Sequence, residues 1–355
     1  MYLSTNVIRV VSCHALVIFA VMTVSTPQAM TLSSTNHRQR RRCCNFLGTL
    51  LRIPSNACSL FLLLMRCTMA MLTASIRLVV PPWKKSLFGE TVLITGAGHG
   101  IGRELAIQLS ALGCIVVCWD TDIEANRATM SIISKNGGEV HGFVVDVSKR
   151  LEVREVVRLM RKADIPDVNI LINNTGVLLR GPFLDYKDED VQKIFEINVL
   201  SQFWTIQAFL PSMLRNKKGH IVSINNMCEF NGLTNNVAYC SSKFAVRGLM
   251  ESLCEELRLT TENSKINFTT VYPLYLDTDF HYNPKFRFPY LSGVASPTYT
   301  AKKIIRAIQR NYEEYSIPGC LVYLSAINRL LPRKAMRLII DFLTNFEKDT
   351  TIAAD

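Results

Sequence analysis

Residues 90–323 are predicted to form an α/β fold, a doubly wound parallel sheet with helices on both faces, and three observations predict it. Short runs rich in Val, Ile and Leu alternate with longer helical patterns, the order that parallel strands joined by right-handed helical crossovers require. A glycine cluster, Gly96-Ala97-Gly98-His99-Gly100-Ile101-Gly102, lies between the first strand pattern and the first helix pattern. Far downstream, Tyr239 and Lys243 sit four residues apart in a long helical pattern, which puts both side chains on one helix face.

In chain order, Thr91-Val92-Leu93-Ile94 reads as a buried strand and runs through the glycines into a helix over Arg103 to Leu112. A strand that feeds glycines at a helix start lets backbone N–H groups approach a pyrophosphate, with Gly96, Gly98, His99, Gly100, Ile101 and Gly102 lining it. The second strand, Ile115 to Asp120, ends in a carboxylate suited to both ribose hydroxyls of an adenosine and repellent to a 2′-phosphate, so NAD is favoured over NADP. The other reading of Asp120 is an N-cap for the helix over Glu124 to Lys135. Gly137-Gly138 stops that helix, and a strand over Val140 to Val145 brings Asp146 and Val147 towards the adenine edge. A helix over Arg150 to Arg161 precedes the strand Val168 to Ile172, which leads to Asn173-Asn174-Thr175-Gly176, with Asn173 and Gly176 expected beside the cofactor. A long helical pattern over Lys187 to Leu214 carries Asn198. The strand Gly219 to Ile224, the helix over Ala238 to Leu259 and the strand Lys265 to Val271 complete the alternation.

The Tyr239–Lys243 pair is a candidate acid/base, because an ammonium beside a phenol favours phenolate and lowers a pKa that is ordinarily about 10. By itself the spacing is common on helix surfaces; the upstream glycines and asparagines give it context.

Gly96-x-x-x-Gly100-x-Gly102, Asn173-Asn174-x-Gly176 and Tyr239-x-x-x-Lys243, in this order, resemble the short-chain dehydrogenase/reductase family over residues 90 to 323. Within it, the segments from Phe88 to Gly102 and from Tyr239 to Ala245 are similar to a membrane-associated group of hydroxysteroid and retinol dehydrogenases. The resemblance implies a Rossmann-type sheet and hydride exchange between a nicotinamide cofactor and an alcohol or carbonyl. It gives Tyr239 the proton transfer, Lys243 the nicotinamide ribose, and Asn198 a helix bend whose freed carbonyl holds a relay water. Pro273 and Thr278 match a motif that meets the carboxamide, although Leu274 replaces its glycine. It also implies a homodimer paired through the helices that begin near Lys187 and Ala238.

One position departs from the family. Its members carry a serine 13 residues before the tyrosine, where this chain has Asn226. An amide donates to a carbonyl or alkoxide oxygen but cannot relay a proton as a hydroxyl does. Asn226 is thus expected to orient the substrate oxygen; the alternative is an impaired, membrane-bound NAD-binding protein that acts as a scaffold or regulator. Thr175, where the family has alanine, is expected to crowd or hydrogen-bond near the cofactor.

The segment Asp279 to Pro297, with Phe280, Tyr282, Phe286, Phe288 and Tyr290, reads either as a cover for a lipophilic steroid, retinoid or long-chain alcohol or as ordinary packing. Residues 324–355 form a third region, in which a basic amphipathic pattern over Leu321 to Phe346 suits a membrane surface or a partner subunit.

Residues 1–89 differ from the rest. They hold ten basic residues and no acidic one, so that of the net charge of +11 only +1 belongs to the chain from Glu90 onward. The basic residues are interleaved with apolar runs, Val7 to Val24 and Ala57 to Val80, which argues against nucleic acid and for a membrane anchor. Pro81-Pro82-Trp83-Lys84-Lys85 then resembles a cytosolic border. The expected location is the endoplasmic reticulum membrane or a lipid droplet, with the catalytic domain in the cytosol. The 11 cysteines form no C-x-x-C pair and have no histidine at zinc spacing, so no metal is expected and a reducing compartment is.

Overall fold

A computed structural model describes residues 58–77, 80–229, 232–260, 265–273, 295–319, 321–322, 324 and 331–343. Cys58–Arg77 is one helix, α1, of 20 residues, long and apolar enough to cross a membrane. The hydroxyls of Thr68, Thr73 and Ser75 donate to carbonyls one turn back, at 2.8, 2.8 and 2.9 Å, so each is satisfied within the helix itself. The first apolar run lies outside the described residues.

From Pro81 the chain forms a separate compact unit. Its strands are β1 (Thr91–Thr95), β2 (Ile115–Asp120), β3 (Val140–Val144), β4 (Ile170–Asn173), β5 (Lys218–Ile224), β6 (Lys265–Pro273) and β7 (Glu314–Ile317). They make one sheet in the order β3-β2-β1-β4-β5-β6-β7, and each neighbouring pair is parallel. The connecting helices are α2 (Gly100–Ser110), α3 (Ile123–Lys135), α4 (Arg150–Lys162), α5 (Asp188–Phe195), α6 (Ser201–Arg215), α7 (Val237–Thr260) and α8 (Pro297–Arg310), and α9 (Arg333–Leu343) follows β7.

Alternate strand residues feed two cores. Val92, Ile94, Val116, Cys118, Ile170 and Ile172 face Leu105 and Leu109 of α2 and Ile304 and Ile308 of α8. Leu93, Val117, Trp119, Leu171 and Ile221 face Val153 and Val157 of α4, Phe209 and Met213 of α6 and Met250 of α7. A strand buried on both faces cannot alternate polar with apolar, which explains the continuous apolar runs. Each fully buried Leu, Ile or Val contributes about 1.5–3 kcal/mol, so these two layers supply most of the driving force.

Local signals set the ends of the helices. Asp122 caps α3 by accepting from Ala125 N at 3.0 Å, so the cap is this residue and the alternative reading of Asp120 is corrected. Ser296 caps α8 with Pro297 in its first turn. The pattern over Lys187 to Leu214 is interrupted: Glu196–Leu200 forms one π-helical turn between α5 and α6. Such turns recur at functional sites.

Because the sheet runs outward from β1 in one direction and from β4 in the other, the connections leave the carboxyl ends of these two strands on opposite faces. The crevice between them is where doubly wound sheets bind ligands. Of the two later expectations, the cover segment lies almost entirely outside the described residues. The basic amphipathic pattern is described over α9, where Leu338 and Phe342 are exposed beside Arg333, Lys334 and Arg337.

Candidate active site

The crevice is built first from glycine. Gly96 leaves β1 with φ +68° and its N–H donates to Trp119 O at 2.8 Å. A Cβ on Gly102 would stand 1.9 Å from Gly96 O, and one on Gly98 would stand 2.8 Å from Asp120 Oδ2. The turn therefore folds back on itself where only hydrogen fits. The first turn of α2 holds no acidic residue, so its positive end stays open to an anion. His99 occupies the N-cap position, exposed, with Nε2 3.5 Å from Asp122 Oδ2.

Asp120 stands at the next strand end. Its Oδ2 accepts from Gly98 N at 2.7 Å and its Oδ1 from Asp122 N at 2.9 Å, which fixes the carboxylate against the glycine turn. Val145 N donates to Asp120 O at 3.0 Å and so brings Asp146 and the buried Val147 alongside. Burial raises the pKa of Asp146, but the hydroxyl and N–H of Ser148 and the Lys149 ammonium outweigh it and hold the carboxyl below its ordinary value. A turn that excludes side chains, a cationic helix end and a carboxylate one strand away together fit a dinucleotide.

Asn173 closes β4 at the same end of the sheet; its side chain is buried and its Oδ1 accepts from Thr205 Oγ1 at 2.7 Å, so the amide fastens β4 to α6. Asn174, which the motif contained but the expected site did not, braces the glycine turn: Nδ2 donates to Thr95 O at 3.0 Å and to Gly96 O at 3.2 Å. Thr95 Oγ1 in turn accepts from the N–H groups of Asn174 and Thr175, each at 3.0 Å. The Thr175 hydroxyl lies 3.2 Å from where a Gly96 Cβ would stand, against the glycine turn.

Around the crevice floor, Asn198 is wholly buried in the π-helical turn. Its Oδ1 accepts from Val177 N at 2.8 Å, and its Nδ2 donates to Val177 O at 2.9 Å and Ser242 Oγ at 3.0 Å. Ser242 Oγ donates to Tyr239 O at 2.7 Å, so the asparagine is connected to the backbone of the candidate acid/base. The backbone carbonyl of Asn198 accepts from Gln202 Nε2 at 3.3 Å, and Gln202 Oε1 accepts from Ser223 Oγ at 2.9 Å. Ser242, Gln202 and Thr205 carry no sequence signal apart from their placement one or more helical turns from a motif residue.

Lys243 is buried, donates to Ile224 O at 3.3 Å and holds Nζ 5.6 Å from the Tyr239 ring centre. Asn225 Nδ2 donates to Lys243 O at 3.1 Å and so ties the end of β5 to α7. A Cβ on Gly176 would be 3.5 Å from Asn198 Oδ1 and 3.6 Å from Lys243 Nζ, so these three positions converge. Asn226 is half-buried at the rim and its Oδ1 accepts from Cys228 N at 2.9 Å. Its oxygen is thereby engaged by the turn, which orients the amide NH₂ as the end available for donation. Pro273 closes β6 at the same end of the sheet, and Thr278 lies outside the described residues.

Fold and crevice together define a doubly wound nucleotide-binding enzyme with a tyrosine–lysine pair at the carboxyl end of its sheet. The family model of short chain dehydrogenases matches residues 90–285, and the chain belongs to that family. It is 35% identical to epidermal retinol dehydrogenase 2 of Homo sapiens over 80% of this chain and 92% of that protein. It is also 35% identical to estradiol 17-beta-dehydrogenase 11 of Rattus norvegicus, over 74% of this chain and 87% of the relative. Among solved structures, a short chain dehydrogenase/reductase from Burkholderia phymatum in complex with NAD superposes with a TM-score of 0.62 at 23% identity, covering 72% of this chain and 96% of the other. A metagenomic short-chain oxidoreductase in complex with NADP gives a TM-score of 0.54 at 26% identity, over 64% and 94%. The protein is accordingly an alcohol dehydrogenase/reductase that uses a nicotinamide dinucleotide.

Proposed function

We propose that the protein interconverts a lipophilic primary or secondary alcohol, of the steroid, retinoid or long-chain class, with its carbonyl, and that it uses NAD. The observation that carries this reading is the convergence of Gly176, Asn198 and Lys243 beside Tyr239 at the mouth of the sheet. The substrate class is supported by the names of the two relatives, and the choice of NAD by the carboxylate of Asp120, which would face a 2′-phosphate with like charge.

The dinucleotide, when bound, exchanges a hydride with the substrate carbon. Gly96 to Gly102 hold its phosphates at the α2 N-terminus, Asp120 takes the adenosine ribose, and Asp146 and Val147 border the adenine. Tyr239 passes a proton to or from the substrate oxygen. Lys243 favours the phenolate and binds the second ribose, Asn226 donates to the substrate oxygen through Nδ2, and Asn198 fixes the geometry of this end of the site. Pro273 and Thr278 serve the carboxamide.

Residues 90–323 form the catalytic unit, active as a homodimer. A lipid surface, the endoplasmic reticulum membrane or a lipid droplet, receives α1 and the basic C-terminal segment of residues 324–355, with the catalytic unit in the cytosol.

A second reading has a specific observation in its favour. With Asn226 in place of a hydroxyl, the substrate oxygen loses a proton-relaying donor, and the loss of one such donor costs on the order of 10²-fold in rate. On this reading the chain binds the dinucleotide and serves as a scaffold.

One experiment separates the two. Purified protein is offered NAD with retinol, hydroxysteroids and fatty alcohols, alongside Tyr239→Phe and Asn226→Ser. Turnover in the native chain that Tyr239→Phe abolishes supports the enzyme. Turnover found only in Asn226→Ser supports the scaffold.

A further inference from the structure

A polar chain joins β6, β7 and α7. Alternation along β6 turns Val271 to the core of α2 and α8 and Phe268 to the other core, so Tyr272 shares the face of Phe268 and of Met250 on α7. Tyr272 is 1% exposed, and its hydroxyl donates to Glu314 Oε1 at 3.0 Å. Glu314 opens β7 opposite Thr270, two positions back on β6, which puts its carboxylate on that same face. From α7, Arg247 Nη2 stands 3.7 Å from the same oxygen, and Arg247 Nε donates to Glu251 Oε1 at 2.5 Å.

A phenol buried this far requires a partner, and a carboxylate supplies a charge-assisted one. At 38% exposure the Glu314 side chain keeps one edge in water, so its charge is not stranded. Arg247 follows Lys243 by one helical turn, where like charges repel, and the two glutamates offset its charge. Apolar contacts between a helix and a sheet are non-directional, whereas this chain of polar contacts fixes α7 against β6 in one register. Two residues proposed to hold the nicotinamide half adjoin its ends: Pro273 follows Tyr272 at the close of β6, and Lys243 precedes Arg247 on α7.

We infer that Tyr272 and Arg247, acting through Glu314, are positioning residues that set the gap between Lys243 on α7 and Pro273 on β6 in which the nicotinamide half of the dinucleotide is held. The inference rests on the proposed roles of Lys243 and Pro273, and it adds the contact that spaces them. The adenosine half depends on Asp120 and the glycine turn, at β2 and β1 on the other side of the sheet, and is left as it is.

The test uses the full chain in detergent and titrates NADH and ADP-ribose, which lacks the nicotinamide, by calorimetry. Tyr272→Phe keeps the ring and removes the donor; it is expected to raise the Kd for NADH roughly tenfold and to leave that for ADP-ribose within about twofold. Glu314→Leu should act in the same direction, and the double variant should be no worse than the weaker single one, because both remove one interaction. Arg247→Lys, which keeps the cation, should hold NADH more tightly than Arg247→Met. Equal weakening of both ligands, as a general loosening of the fold produces, overturns the inference alone, and so does unchanged NADH affinity in Tyr272→Phe beside a native chain that binds. A native chain with no affinity for NADH overturns the proposed function and this inference with it.

Discussion

Lys85 Nζ lies 3.0 Å from His220 Nδ1, which joins the segment ahead of β1 to the buried start of β5. Thr269 Oγ1 donates to Tyr312 O at 2.6 Å, so towards His220 Nε2, at 2.8 Å, it acts as the acceptor. The imidazole is therefore the neutral Nε2–H tautomer, with Nδ1 accepting from the lysine. Burial first, and the Lys85 charge second, hold the His220 pKa well below 6.5. Burial also lowers Lys85 to about 8, against the attraction of Glu90.

This arrangement predicts acid sensitivity with a definite sign. The unfolded chain takes up the His220 proton near pH 6.5 and the folded chain does not. The stabilising contribution is therefore complete above about 6.5 and lost as pH falls towards the lower folded value, at up to about 1.4 kcal/mol per pH unit. Lys85 titrates between about 8 and 10.5 and is protonated in both states below that window, so it adds no slope there. Urea unfolding at pH 7.5, 6.5 and 5.5 should show the decline, and His220→Gln should flatten it. An equal slope in the variant assigns the effect to other groups.

Gly102→Ala is expected to abolish dinucleotide binding. The new Cβ would meet the Gly96 carbonyl at 1.9 Å, a backbone atom that cannot move without opening the turn braced by Asn174. A rise in Kd of roughly 100-fold or more is expected, consistent with the loss of a preorganised anion site. Titration of NADH fluorescence checks it.

Asn198→Ala should destabilise the fold by roughly 1–3 kcal/mol, because it removes the partner of the half-buried N–H and C=O of Val177 and leaves the buried Ser242 without a donor. Asn198→Asp keeps the acceptor for Val177 N but places a carboxylate against Val177 O, and should be no better. Thermal unfolding of the two variants beside the native chain reads the difference.

Asp120→Ser should shift cofactor choice. Removing the charge lifts the repulsion of a 2′-phosphate and releases the bonds to Gly98 and Asp122, so NADP affinity should rise about tenfold while NAD affinity falls. Paired titrations with the two dinucleotides decide it; unchanged discrimination would place the selectivity elsewhere.

What the sequence revealed followed from local physics. Strands buried on both faces read as unbroken apolar runs, and glycines at Gly96, Gly98 and Gly102 mark a turn that only glycine can make. The cap at Asp122 was legible only as a neighbour of Asp120, since either carboxylate suits an N-cap and only the backbone path decides between them. The partner of the Asn173 side chain was not legible at all: it is Thr205, distant in sequence. The same holds for Ser242, which meets Asn198, and Gln202, which meets Ser223, contacts between elements far apart in the chain.

Asn226 is where the fold and the chemistry disagree most, and it yields the sharpest prediction. Its Oδ1 is engaged by Cys228 N, so what it offers a substrate oxygen is a neutral N–H with no proton to relay. Asn226→Ser should raise kcat by roughly 10- to 100-fold with little change in KM, since a hydroxyl in place of the amide both donates to the oxygen on which charge develops and relays its proton. Asn226→Leu should lower kcat by a similar factor if the native amide donates at all. Equal rates for the native chain and the leucine variant would mean that Asn226 contributes nothing to the substrate oxygen, leaving Tyr239 as the one donor assigned to it.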